Sequence, residues 1–591
     1  MAKEDSADAA STDAVAVDQV SSDVPADVGP AKGGTAEIQL LSVSDWHGQL
    51  DPISESVKDG TQLFGGVGVL MTYFKADRAA KPHTFFLTGG DAFGATPALS
   101  NFFNDKPAVE ALNLLGLFAD TFGNHNFDAG VAKLKDLIAL ANYKYVSSNL
   151  VGLDGELPKM VTTPYLMFPV GVGANTVQVA VLGITNPDAP SLLFPGKMGK
   201  IQVQEPIAAA NAAAKSARDG GAHVVIALVH MGATGKDDKD QPTGPLMDFV
   251  KGIKGIDVVL GDHTGQVVNG EFGGTLVVEN KSKGRTYSRV LLQVTDGVVT
   301  KKSATTVEPA GLFTFNLGKD AGGATNKCPA VACPADKGLT CVEGKCVKEL
   351  AKADPAAETL LKPYRDKLAL VYDDKVAKVS ELMIRDGVIE RKQEVPIGNL
   401  IADALLSYYK DAGAQIAFTN SGGIRDSMPS SYKPKATGLV RTGCSKDTPC
   451  DLVIGDVFSV LPFGNTCVVR KITGEQLWLT LEHSVAKTPA SDGRFLQIGG
   501  FKFSYSAKSA VGSRVKSVTL LADGKEIPNS KDFMLTMVTN DFTNAGGDSF
   551  TMLIEKAPSP ALEVMADVVL SYLKKQGTFA PPKVERITVV E

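Results

Sequence analysis

Short apolar runs that stop at polar residues of one chemical kind recur through the first half of the chain. Residues 38–43 read as a buried strand and end at Asp45-Trp46-His47-Gly48. Residues 84–88 end in Gly89-Gly90-Asp91, and 119–122 run into Gly123-Asn124-His125-Asn126-Phe127-Asp128. Residues 143–147 deliver Asn149, 224–229 end at His230, and 257–260 end at Gly261-Asp262-His263. Helical periodicity fills the intervals, at 107–117, 130–141 and the alanine-rich 206–217. Strands alternating with helices predict an α/β domain of layered sheets with helices outside, whose ligands collect beyond the carboxyl ends of the strands.

A single polar residue at a strand end needs no function, because Asp, Asn, Gly and His are ordinary turn residues. Recurrence changes that. Asp45, His47, Asp91, Asn124, His230 and His263 stand at successive strand ends, and with His125 they use four of the chain's seven histidines. Two divalent cations about 3.5–4 Å apart need a bridging carboxylate, further O and N ligands, and an open edge for water and a phosphate oxygen. This inventory supplies them. His125, steadied by Asp128, is the candidate for stabilising developing charge and protonating a leaving oxygen.

The second half opens on a helical pattern at 396–404, then a strand at 415–419 that ends in Asn420-Ser421-Gly422-Gly423-Ile424-Arg425. The glycines permit a tight turn that aims Asn420 and Arg425 into one cleft. Two loops carry Phe463 and Phe542, the latter six residues before Asp548. Two such rings can sandwich a planar base, and Asp548 can accept from ribose hydroxyls. A ring plugging the core under its loop is the equal alternative. A helix over 356–370 links the halves or belongs to one of their cores.

Asp45-x-His47, Gly90-Asp91, Gly123-Asn124-His125, His230 and Gly261-x-His263 resemble the ordered signature of the calcineurin-like metallophosphoesterases. With the Asn420 to Arg425 segment, the Phe463 loop and the Phe542 to Asp548 loop, residues 37–586 outside the cysteine cluster are similar to the 5'-nucleotidase family. The resemblance implies an N-terminal four-layer α/β/β/α sandwich, a second α/β nucleotide-binding domain, and a domain rotation between them. It implies Asp45, His47 and Asp91 on one metal, and Asp91, Asn124, His230 and His263 on the other. The ions are Zn, Mn, Co or Mg. A further metal ligand belongs two residues after His263, where this chain has Gly265, so Gln266 is the candidate replacement. Asp262 stands where the family more often has Gly. The family's extra arginine is expected just after the helix begun at Pro396, where Lys410-Asp411 lie instead.

Composition bounds the rest. At 591 residues, 44% hydrophobic and 21% charged, the chain exceeds one core and reads as at least two globular domains. A net charge of −6 argues against a nucleic-acid partner, and no apolar run approaches the roughly 18 residues of a membrane span. Cys328, Cys333, Cys341 and Cys346 are separated by four, seven and four residues, which misses zinc-ribbon spacing and favours disulfides in any of three pairings. Cys444 and Cys450 bracket a loop, and Cys467 sits alone in an apolar run. Disulfides predict a periplasmic, extracellular or envelope location.

The boundaries expected are a disordered tether over 1–36, a catalytic domain over 37–318, a loop-rich cysteine insertion over 319–349, a linker helix over 350–372 and a substrate domain over 373–591. The tether suits a removed export signal or a lipid anchor. The function expected is an exported nucleotide phosphohydrolase. The alternatives are hydrolysis of cyclic nucleotides, nucleotide sugars or dinucleotides in the same site, or non-catalytic nucleotide binding with an impaired metal site.

Overall fold

The structure is a computed structural model that describes residues 34–157, 161–193, 196–317, 328, 332–554 and 562–591. All but the last three residues of the expected tether lie outside that set, as do residues 318–327 and 329–331 in and before the cysteine segment.

Ala36–Val43, buried from its third residue onward, lies within a seven-stranded sheet. In space the order is Val298–Val307, Tyr287–Thr295, Ala36–Val43, Thr84–Thr88, Leu117–Asp120, Lys144–Val146 and Val161–Thr162. From Ala36–Val43 onward the neighbours are parallel, and the two strands on its other side pair antiparallel. A second, six-stranded sheet runs Val268–Phe272, Thr275–Glu279, Val258–Gly261, Val224–Val229, Val177–Ile184 and Tyr165–Val170, parallel through its four central strands.

Strand alternation sorts the side chains into layers. Ile38 and Leu40 turn inward with Leu87 and Val146, meeting Val179, Val181, Ile226 and Leu228 of the second sheet. Leu41, Val43 and Phe86 turn outward under the helices Gly66–Ala80, Lys106–Leu115, Val131–Leu140 and Pro355–Tyr372. On the far side, Ala180, Leu182, Val225 and Ala227 pack beneath Pro206–Asp219 and Pro245–Gly252. The result is the α/β/β/α sandwich. Helix starts follow local signals: Glu205 accepts from the backbone N–H of Ile207 and Ala208 ahead of Pro206, and Asp354 accepts from Ala356 ahead of Pro355.

In the second half, Cys467–Thr473, Met534–Asn540, Ile416–Asn420 and Leu496–Gly499 form a four-stranded sheet. Helices Pro396–Tyr408 and Met565–Gln576 contribute to a core that includes Ala417 and Val538. Gly474–Ser484 and the strands Phe501–Tyr505 and Val515–Leu520 share another with Ile416, Phe418 and Met537.

Two expectations change. Residues 340–349 are not a loop without a core: Thr340–Val342 and Lys345–Glu349 form a hairpin that joins Ala310–Phe315, Gly60–Phe64 and Ile53–Val57 in a five-stranded sheet. Cys328 and Cys346 are buried there against Phe313 and Phe315. The pairing is Cys328–Cys341 and Cys333–Cys346, with Cys444–Cys450 separate and Cys467 buried and free. The second change concerns Pro355–Tyr372, which buries Ala357, Leu361, Leu368 and Tyr372 in the core of the first half. Its end reaches the second half, where Tyr372 stacks on Phe458 at 5.4 Å.

The two large sheets meet closely at Gly183. Its carbonyl accepts from the Ser148 N–H at 2.7 Å, and a Cβ added there would lie 2.0 Å from the Val146 carbonyl oxygen. Gly183→Ala is expected to lower unfolding free energy by about 1–3 kcal/mol, the usual range for overpacking, as read from urea denaturation.

Candidate active site

Register carries the site. Val43 lies beside Thr88 and Val229 beside Gly261, so the residues that follow these parallel strands leave both sheets on a common edge. The loops then bind one another: His47 and Gly48 donate backbone N–H bonds to the carbonyls of Asp91 and Ala92 at 3.0 and 2.9 Å. Asp45, His47, Asp91 and His263 all have positive φ, of 42°, 49°, 46° and 84°. Non-glycine residues rarely adopt that conformation, and such strain clusters where surrounding structure enforces a functional geometry.

The side chains converge. Ligand atoms of Asp45, His47 and Asp91 lie within 4.8 Å of one another, and so do those of Asp91, His230 and His263. His47 Nδ1 bonds the Gly94 carbonyl at 2.8 Å and His230 Nδ1 the Gly89 carbonyl at 3.0 Å. Each carbonyl accepts a hydrogen bond from Nδ1–H and thereby leaves Nε2 turned inward as an acceptor, the arrangement that orients metal-binding imidazoles. His230 Nε2 then faces Asp91 Oδ2 at 3.1 Å, Asn124 Oδ1 at 3.3 Å and His263 Nδ1 at 3.2 Å.

So dense a cluster of buried acceptors demands positive charge. Burial disfavours the imidazolium of His230, but Asp91 outweighs burial and raises this group to about 9. Burial and the charge of His230 press His263 down to about 3. Burial alone would raise Asp91, yet His230 and His125 hold it far below the usual carboxylate range. The donor set, carboxylates and an amide oxygen with inward imidazole nitrogens, fits a pair of divalent cations.

His125 stands beside this cluster. Its backbone N–H donates to Asp91 Oδ1 at 2.8 Å, and Nδ1 lies 2.9 Å from Asp128 Oδ2. A second set of residues faces the same cleft, of about 1540 Å³, which both halves of the chain line. Ile416–Asn420 and Met534–Asn540 are parallel neighbours, so Asn420 and the segment leading to Asp548 leave one sheet edge. Asn420 donates its amide to Asp548 Oδ2 at 2.8 Å, and burial lifts the Asp548 carboxyl to about 6 despite that bond. Arg425 reaches across to the first half, its Nη2 at 3.5 Å from His47 Nε2. Burial, with Arg385 and Arg391 nearby, lowers its guanidinium to about 9.

Phe463 and Phe542 are half-buried and line the cleft, so neither is a core plug. Phe463 has a partner that the sequence did not suggest: its ring stacks on His125 at 5.6 Å and 20°. Gln266 is exposed on the rim and only its backbone N–H is engaged, with Glu279. Lys410 is exposed beyond the end of its helix, whereas the additional cleft cations, Arg385 and Arg391, precede that helix. Lys283 was also missed; burial lowers its ammonium to about 8, and its backbone N–H holds the Asp45 carbonyl at 2.8 Å.

Asp91 is common to both ligand groups. Asp91→Ala is therefore expected to lower the divalent metal retained per chain in elemental analysis after desalting, with the fold retained by circular dichroism.

The family model described as the 5'-nucleotidase C-terminal domain matches residues 375–555. The trifunctional nucleotide phosphoesterase protein YfkN of Bacillus subtilis (strain 168) is 26% identical over 94% of this chain, which spans 35% of that protein's length. The Bos taurus 5'-nucleotidase is 25% identical over 93% of this chain and 90% of its own. The crystal structure of the 5'-nucleotidase precursor from Thermus thermophilus shares the fold, with a TM-score of 0.75, 23% identity, and coverage of 94% of this chain and 100% of that one. The matched domain places the likeness to 5'-nucleotidases in residues 375–555, and the relatives and the common fold extend that similarity across both halves of the chain.

Proposed function

We propose that this protein is an exported dinuclear-metal phosphohydrolase that releases phosphate from nucleotides. The observation that carries the reading is the meeting of buried acceptors at His230 Nε2, with Asp91, Asn124 and His263 all within 3.3 Å. Asp45, His47 and Asp91 would hold one ion, and Asp91, Asn124, His230 and His263 the other. Gln266 can join only if its loop turns the exposed side chain inward. Bound there, a divalent pair supplies Lewis acidity and an activated water for attack on phosphorus.

The chain's own groups do the rest. Asp128 accepts from His125 Nδ1 and fixes the ring, leaving Nε2 to hold or give a proton at the departing oxygen. Arg425 bridges from the second half to His47 and brings positive charge to the phosphoryl group. Asn420 and Asp548 form a polar pair suited to ribose hydroxyls, and the half-buried rings of Phe463 and Phe542 offer apolar faces to a base. Residues 37–318 would thus carry the chemistry and 373–591 the nucleoside. The three disulfides support a periplasmic, extracellular or envelope location, and among the described residues no helix is long and apolar enough to cross a membrane.

Phosphate release from adenosine monophosphate with added Mn, Zn or Co tests the activity, and its absence with every ion would overturn the reading. His125→Ala should lower kcat by about 10²–10⁴-fold while bound metal stays unchanged. The Asp548 carboxyl at about 6 predicts a pH dependence of nucleoside binding. Below that pH the group is protonated and loses an acceptor, so adenosine Kd should rise as pH falls through 6. Calorimetric titration of Asp548→Asn should show no such rise.

A further inference from the structure

The group formed by Asp45, His47 and Asp91 has three side chains, with none from position 265. Gly265, where the family resemblance implies a ligand, has no side chain, and Gln266 is exposed. Asp262, three residues earlier, is fully buried. Its Oδ1 accepts the backbone N–H of Asp45 at 2.6 Å and of His263 at 2.8 Å, tying together two ligand loops of positive φ. Its Oδ2 is buried with no donor among the described residues, and the side chain lies against the Asp45 carboxylate. Ligand atoms of Asp45, His230 and Asp262 lie within 4.8 Å of one another, a triad that shares Asp45 and His230 with the other two. The space is built for it: a Cβ on Gly89 would lie 2.8 Å from Asp262 Oδ2.

Two explanations suit a carboxylate in this position. Asp262 either shares a proton with Asp45 and merely braces the loops, or presents Oδ2 to a cation. The missing donor at Gly265 favours the second, because the Asp45, His47 and Asp91 group otherwise has only three ligands from the residues named. On the dinuclear reading above, we infer that Asp262 is an additional carboxylate ligand of the metal centre and replaces, from the other side of His263, the ligand absent at Gly265. Asp45 and Asp262 then offer two carboxylates beside His230, an addition of oxygen donors that favours Mn²⁺ or Mg²⁺ over Zn²⁺.

Asp262→Asn separates the explanations. Its amide oxygen keeps the two backbone bonds and its NH₂ can still donate to Asp45, so the brace survives while the carboxylate charge is lost. Mn²⁺ titration by calorimetry, with elemental analysis after desalting, should show two ions in the wild type. In Asp262→Asn one of them should bind about 10–100-fold more weakly. Gly265→His in the Asp262→Asn background should restore the second ion. Two ions held by Asp262→Asn with unchanged affinity would overturn the inference while leaving the dinuclear reading intact. A wild type that binds no Mn²⁺, Zn²⁺ or Co²⁺ would instead overturn that reading and this inference with it. Should Asp262→Asn fail to fold, a crystal structure of the Mn²⁺-loaded wild type decides: Oδ2 bonded to the ion supports the inference, and Oδ2 still turned to the Asp45 carboxylate overturns it.

Discussion

Lone pairs gathered without hydrogens to share are the constraint on which the first half of this molecule depends. Asp91 Oδ2, Asn124 Oδ1 and His263 Nδ1 crowd within 3.3 Å of His230 Nε2 at the floor of the cleft. Holding them there takes both sheets, since Asp91 and Asn124 follow strands of the first and His230 and His263 strands of the second. It also takes backbone strain, distributed over Asp45, His47, Asp91 and His263. A fold that merely needed to be stable would not bury charge this way.

The second half answers with the opposite sign. Arg385, Arg391 and Arg425 line the cleft with Lys283, and burial lowers both Arg425 and Lys283 from their ordinary values. These partly desolvated cations share the cleft with Asp386, Asp492, Asp541 and Asp548, across from the buried acceptors of the first half. Asn420, Asp548 and the two phenylalanines supply directional and apolar contacts in the same cleft.

Much of this was legible because strand ends and chemistry coincide in the chain. Continuous apolar runs such as 224–229 mark strands buried on both faces, and in parallel sheets their ends must share an edge. What stayed hidden depends on contacts between distant segments. The hairpin of Thr340–Val342 and Lys345–Glu349 is polar and exposed along much of its length, so alternation could not reveal it; its pairing with Ala310–Phe315 makes it a sheet. Arg391 precedes the helix at Pro396 by a turn with no periodic signature. The stacking of Phe463 on His125 joins residues from separate halves, and no local pattern encodes it.

That ring contact has a mechanical meaning. One face of Phe463 is spent on the imidazole, with the Arg425 guanidinium 5.6 Å from the ring centroid. Any planar guest that needs the occupied face must displace His125 from it, so docking the guest and uncovering the imidazole become a single movement.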